Sequence, residues 1–367
     1  MGIVSITRTN NGIKNGLIEA VNLVGGIEKF IGRSDNVMLK PNLNGTEGLT
    51  NIEVVESLIQ ILFEYGAKGI VIAESTFGNA QITDMCFEKS GYSQLAKKYG
   101  IELINLNKSQ VVETAVKKPL VTSNLKIAKE VFDVDKIINL PVMKVHYATG
   151  ITLAMKNLKG LLVGNEKKHF HEIGLDKAIV DLNNTIKPAL NIADCTACME
   201  RMGPRGGDIV NLNLLMASQN CAEMDYIGCL IMQHTPDEVK HLKYYIEGNN
   251  VDVKNISVVG ESVENVKYPF KKALMSAAMP ANIKIHNVNA CSACMNALLL
   301  SFQFLENKIE QNTDVYLGAK HNKEEMAEGL KISFGNCCFY DMDFDIKIKG
   351  CPPYPFALKA EMEKRNV

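Results

Sequence analysis

Apolar residues recur along the first part of the chain in two alternating rhythms. Short β-rich runs, Ile3 to Thr7, Asn36 to Lys40, Gly69 to Ala73, Ile101 to Leu106 and Asp135 to Leu140, have the length and composition of buried strands. Between them, Ile13 to Ile31, Ile52 to Tyr65 and Asp84 to Tyr99 space their apolar residues as a helix with one covered face does. Gly25-Gly26 breaks the first of these helices and Gly66 closes the second. Strands alternating with helices predict a mostly parallel sheet with helices on its faces. The pattern persists through a helix over Asp176 to Ile186, strands over Leu190 to Ala193, Leu212 to Ala217 and Ile256 to Gly260, and helices over Glu223 to Met232 and Pro236 to Glu247. A loop rich in Cys and Gly is expected after Ala193. Beyond Tyr268 the texture changes to a Met/Ala/Pro stretch, then cysteines and a Gly-Cys-Pro-Pro segment. The chain therefore reads as an α/β domain over residues 1–265 followed by a smaller cysteine-containing α+β module over residues 266–367.

In open α/β sheets the carboxyl ends of the strands form the ligand crevice, so polar residues there are the first candidates for chemistry. Lys40, Asn42 and Asn44 follow one strand, Glu74 and Ser75 another, and Lys144 and His146 a third. Thr152, the run Lys156-Asn157-Leu158-Lys159-Gly160, His169, His171 and Asp194 come later. Such a set suits a carboxylate or phosphate. Lys144 and Lys156 would hold the anion with Lys40, and His146 or His169 would move protons near neutral pH. Asn42, Asn44, Glu74, Ser75, Asn157 and Asp194 would complete the substrate contacts. The bland reading of each residue alone is that asparagines cap turns and lysines are solvated.

Charge and cysteine usage narrow the field. Over 367 residues, 40 basic and 41 acidic side chains give a net charge of -1, with no dense basic run, so nucleic acid is not an expected partner. The N-terminus lacks the features of a secretory signal and no window reaches the length of a membrane span, which makes the cytoplasm the expected location. In that reducing compartment ten cysteines are not explained by disulfides and point to metal or redox work.

Cys291 and Cys294 form a CxxC pair, a spacing that lets one turn of backbone present two thiolates to one metal. Cys337 and Cys338 follow Gly335, and Cys351 is followed by Pro352-Pro353, which stiffens the loop. Two close ligands plus two distant ones predict a 4Fe-4S cluster on Cys291, Cys294, Cys337 and Cys351, with Cys337 preferred to Cys338 and zinc as the alternative metal. Cys195 and Cys198 are open to three readings: a redox pair facing substrate, ligands to a second metal, or small buried side chains. Core packing is expected for Cys86, Cys221 and Cys229.

No Walker loop, GxGxxG fingerprint, HExxH or GxSxG elbow is present. The segments Lys40-Pro41-Asn42-Leu43, Gly66-Ala67-Lys68, Asn139 through His146, Leu153 through Gly160 and Asp181-Leu182-Asn183 resemble the prokaryotic family called domain of unknown function 362. The resemblance covers about residues 1–265. It implies an α/β fold and an association with iron–sulfur modules, and it points to Lys144, His146, Lys156 and Asn157 as site residues. Asp194, Gly203-Pro204 and Asp225 also fit its pattern, whereas many members have Asp-Gly where this chain has Asp194-Cys195. The leading expectation is an iron–sulfur redox enzyme of anaerobic metabolism acting on a small anionic substrate, with a possible electron-transfer protein partner. The rivals are a non-catalytic electron carrier or partner-binding protein, and a ligase or transferase whose zinc or cluster is structural.

Overall fold

The computed structural model describes residues 2–43, 47–77, 79–201, 203–204, 206–273, 282–302, 304–305, 312–319, 321, 329–338 and 343–365. Asn44, an expected substrate contact, lies outside the described residues. The chain divides into two compact units, Met1–Ala273 and Leu274–Val367.

The first unit is built on one large sheet. In chain order its strands are β1 (Ile3–Arg8), β2 (Asn36–Pro41), β3 (Gly69–Glu74), β4 (Glu102–Asn105), β7 (Lys136–Leu140), β8 (Val142–His146), β9 (Gly150–Thr152), β10 (Leu190–Glu200), β11 (Asp208–Val210), β12 (Leu214–Ser218) and β13 (Ser257–Gly260); β5 (Val111–Ala115) and β6 (Asn124–Ala128) form a separate hairpin. The central order is β13-β1-β12-β10-β7-β2-β3-β4, with β8 and β11 on β10 and β9 on β8. Pairings among β4, β3, β2, β7 and β10 are parallel, and β12 runs against both its neighbours.

Alternation along β2 shows how the two cores form. Val37 and Leu39 enter the apolar cluster beneath the helices Ile13–Leu23 and Ile52–Tyr65, while Met38 enters the cluster on the opposite face. Lys40 shares the face of Met38 and is wholly buried. Helix ends follow local chemistry: Asn51 caps Ile52–Tyr65 by accepting the Glu53 N–H, and Gly66 ends it at φ 92°.

Several expectations shift in detail. The helix expected over Asp84 to Tyr99 is two, Ala80–Lys89 and Tyr92–Tyr99, broken where Gly91 takes φ 82°. The loop expected after Ala193 is the continuation of β10 to Glu200, so Cys195 and Cys198 sit in a strand. The β5–β6 hairpin has no counterpart among the expected strands, its alternation being short and mostly polar.

Among the described residues the second unit holds four strands, β14 (Ile283–Val288), β15 (Thr313–Gly318), β16 (Leu330–Phe334) and β17 (Ile346–Ile348), in sequential order and all parallel. The helices Ser292–Phe302 and Phe356–Glu363 accompany them, and Ala297, Leu298, Val315, Leu317, Ile332 and Leu358 share its core. The molecule is thus mixed α/β with a mostly parallel central sheet and a separate small sheet at the C-terminal end.

Candidate functional site

The carboxyl ends of β2, β3 and β7, together with β8, bring most of the expected residues together. Lys40 pairs with Glu74 in full burial. Burial lowers the Lys40 pKa and raises that of Glu74, and their mutual attraction opposes both shifts. Glu74 also accepts the Ser75 N–H at 2.7 Å. Lys167, from the helix Glu166–Ile173, donates to Ser75 Oγ and to Thr76 O at 3.1 Å. The Lys40 charge is therefore spent on Glu74, which makes Lys40 a scaffold residue rather than the anion ligand expected from sequence.

Beside this pair runs a directional chain of buried amides. Lys144 donates to Asn42 at 2.8 Å, Asn42 to Asn157 at 2.8 Å, Asn157 to Asn139 at 2.8 Å and Asn139 to Asn191 at 2.9 Å. The Cys221 thiol donates to the same Asn191 oxygen at 3.1 Å. Each amide gives what the next accepts, so the chain fixes the orientation of Lys144 deep in the protein. Asp194 accepts from the Asn51 N–H at 2.6 Å and from Thr196 Oγ1 at 2.6 Å; burial raises its pKa, opposed by these hydrogen bonds and, less, by the Lys144 charge. It acts as a loop anchor.

A cluster of basic side chains adjoins the amide chain. Lys156 and Lys159 project from the turns Ala154–Asn157 and Leu158–Leu161, which Asp225 secures by accepting the N–H groups of Ala154 at 2.7 Å and Met155 at 3.2 Å. Lys156 donates to Thr152 Oγ1 at 3.1 Å, and Lys159 Nζ lies 3.3 Å from His171 Nε2. Lys144 and His146 are buried, while Lys156, Lys159 and His171 are half-buried. Burial first, then repulsion from Lys159 and Lys144, pushes the Lys156 pKa well down; burial brings that of Lys159 to about 7. The His146 pKa falls well below its ordinary value through burial and then the charges of Lys156, Lys159, His171 and Lys144. His146 Nδ1 accepts the Ala148 N–H at 3.0 Å, so the neutral ring carries its proton on Nε2.

His169, an expected proton mover, is not brought here. Its side chain is 45% exposed and lies 3.6 Å from Glu172. Residues two apart on a helix point to nearly opposite sides, so burying Phe170 and Lys167 turns His171 inward and His169 out. Spacing of i, i+4 from Lys167 would have selected His171. Sequence reasoning also left Lys159, Lys167, Asn139 and Asn191 out of the candidate site; of these only Lys159, in the run with Lys156, carried a visible signal.

Cys195 and Cys198 are wholly buried in the first unit's core, with their thiols in hydrogen-bonding contact. In a regular strand they would face opposite ways, but pairing with β8 advances from Val142 to Lys144 while β10 advances from Asp194 to Met199. That bulge reunites the pair. Burial and then the Cys195 thiol raise the Cys198 pKa far above its ordinary value, as in inert packed thiols.

In the second unit, Cys291 follows β14, Cys294 opens the helix Ser292–Phe302, Cys337 lies in the short turn Asn336–Cys338 after β16, and Cys351 follows β17. The carboxyl ends of three parallel strands thus present four cysteines. The Cys294 pKa is raised by hydrogen-bonding contact with the Cys291 thiol, then by burial, then by Cys351 and Cys337. Cys338 turns away and donates to Tyr316 O at 3.1 Å and Gly318 O at 3.0 Å. The loops are laced together by Gly335 N–H to Ile348 O and Asn336 N–H to Gly350 O, both 2.9 Å. Among the described residues no three His, Cys, Asp or Glu side chains are already posed as a metal-ligand set. Four cysteine thiols are the donor type used by iron–sulfur and by zinc centres alike. Gly335, at φ 105°, leaves the space beside Cys294 Sγ open, and a Cβ there would approach that sulfur to 3.1 Å.

Fold and site together define an α/β protein whose mostly parallel sheet carries a lysine-rich polar centre at the carboxyl ends of its parallel strands. The chain belongs to the family described as domain of unknown function (DUF362), whose profile matches residues 37–230. A thylakoid-associated protein of Synechocystis sp. is 31% identical over 224 residues, 58% of this chain and 68% of that protein. Among solved structures, a Thermotoga maritima protein is 15% identical with a TM-score of 0.35, covering 55% of this chain and 53% of its own, so this chain spans about half of that protein's length. The lactate racemase apoprotein from Thermoanaerobacterium thermosaccharolyticum is 11% identical with a TM-score of 0.43, covering 86% of this chain and 69% of its own. Similarity at this level says nothing of activity. Among the described residues no helix is long and apolar enough to cross a membrane.

Proposed function

We propose that this protein is a cytoplasmic iron–sulfur redox enzyme acting on a small anionic substrate. The observation that carries the reading is that Cys294 lies in contact with Cys291 and within electrostatic reach of Cys337 and Cys351, residues far apart in sequence. Cys291, Cys294, Cys337 and Cys351 would hold a 4Fe-4S cluster, which when bound supplies one-electron chemistry. Were all four cysteines to ligate, no iron would be left open, and electron transfer would be favoured over Lewis-acid work. An electron-transfer protein would be the natural partner.

The first unit supplies the substrate chemistry in this reading. Lys144, fixed by the amide chain, and Lys156 draw in the anion and orient it. His146, neutral and protonated on Nε2, would donate a hydrogen bond to a substrate oxygen on which negative charge develops.

The test is ligand-specific. Anaerobically prepared Cys337→Ala and Cys351→Ala variants are expected to lose bound iron, while Cys338→Ala retains it because that thiol is committed to Tyr316 and Gly318. Iron retained in both Cys337→Ala and Cys351→Ala would overturn the assignment. His146→Ala with its iron content unchanged separates enzyme from carrier: an enzyme loses turnover, a carrier keeps its electron transfer.

A further inference from the structure

The basic cluster brings together more cationic-type side chains than the two oxygens of a monocarboxylate can engage. Lys156 and Lys159, three apart on consecutive turns, lie on one side, with His171 beside Lys159 at 3.3 Å and Lys144 and His146 behind them. Aromatic walls flank it: the Phe170 ring lies 5.8 Å from Lys159 Nζ, and Phe77 meets His171 edge-on at 5.9 Å. Each of these groups lies within electrostatic reach of at least one other, and the 3.3 Å approach of Lys159 Nζ to His171 Nε2 joins the two elements that carry them. A carboxylate offers that cluster one charge and two oxygens. A phosphoryl group offers about two charges and three acceptor oxygens at one point. Each ammonium carries three N–H groups, and the Lys156 bond to Thr152 uses one of them.

We propose that Lys156, Lys159 and His171, backed by Lys144 and His146, form a subsite for a tetrahedral phosphoryl dianion, either a phosphate monoester or free phosphate. The proposal rests on the reading of this cluster as the substrate site and names the substrate class.

The surroundings set the proton balance. His146 faces Lys144, Lys156, Lys159 and His171; Lys156 also faces Asp176, and Lys159 also faces Lys167, beyond which lie Glu74 and Lys40. Burial first, and mutual repulsion after it, keeps this group under-protonated near neutral pH. An arriving dianion reverses the field and draws protons back onto the lysines and imidazoles, so binding is coupled to proton uptake and strengthens as pH falls from 8.5 to 7.

Calorimetry on the full chain at pH 7.5, in two buffers of different ionisation enthalpy, tests this with inorganic phosphate, glycerol phosphate and acetate at equal ionic strength. Phosphate or glycerol phosphate is expected to bind about ten-fold more tightly than acetate or better, with net proton uptake, and Lys159→Met is expected to weaken it about ten-fold. Tighter binding of glycerol phosphate assigns the subsite to an ester, and tighter binding of phosphate to the free ion. Equal affinity for acetate, or no proton uptake by the unaltered protein, overturns the proposal whatever the variant does. Metal analysis of the same sample separates the two claims. Iron and sulfide present with no phosphate preference removes the subsite alone, and phosphate preference in a zinc-containing, sulfide-free protein removes the redox reading alone.

Discussion

Replacing Lys40 by methionine keeps the bulk of its side chain and removes the charge that Glu74 faces. Neither side chain is reachable by water to any useful degree, at 0% and 4% exposure. The stranded carboxylate keeps the Ser75 N–H and the more distant Lys167 charge. Its cheapest escape is to bind a proton. For a carboxyl whose ordinary pKa is 4.5, holding a proton at pH 7 costs 2.5 pH units, or about 3.4 kcal/mol. That sum falls within the roughly 3–5 kcal/mol typical of breaking a buried ion pair by removing one partner. Because the cost is that of protonation, it falls by about 1.4 kcal/mol for each unit of acidification, leaving under about 1 kcal/mol at pH 5. Urea unfolding followed by circular dichroism at pH 7 and pH 5 measures it, with unchanged m-values required before the midpoints are compared. The double variant Lys40→Met, Glu74→Gln should recover about 2 kcal/mol or more at pH 7. A Lys40→Met cost below about 1 kcal/mol at pH 7, or one equal at both pH values, would refute the reasoning.

Asp225 supplies a pH signature of opposite origin. Burial pushes its carboxyl up to about 8, so between the unfolded value near 4 and that point the native chain holds a proton that the unfolded chain has released, and stability declines as pH rises through the window. Asp225→Asn should flatten this decline, read as urea midpoints at pH 5 and pH 8; an unchanged slope contradicts it. Gly335→Ala places a methyl group 3.1 Å from Cys294 Sγ at a positive φ, at a cost of about 1–2 kcal/mol, and should reduce iron bound per chain; full iron content in a folded Gly335→Ala protein would show that the space beside Cys294 is not needed.

Hydrophobic rhythm disclosed the sheet because burial on both faces leaves uninterrupted apolar runs such as Leu214-Leu215-Met216-Ala217, and covered helices leave three-and-four spacing such as Ile52 to Tyr65. Position after a strand likewise pointed to Lys40, Asn42, Lys144 and His146. What it could not disclose was which of these charges is already neutralised. Lys40 and Lys144 look alike in sequence, and only the fold gives the first to Glu74 and the second to Asn42. The inward turn of His171, the bulge that reunites Cys195 with Cys198, and the withdrawal of Cys338 toward Tyr316 each depend on three-dimensional register.

The most direct measurement is the iron, zinc and acid-labile sulfide content of the anaerobically purified chain, together with its electron paramagnetic resonance spectrum after reduction. The account predicts about four irons and four sulfides per chain and a reduced-cluster signal. One zinc per chain with no inorganic sulfide would contradict it.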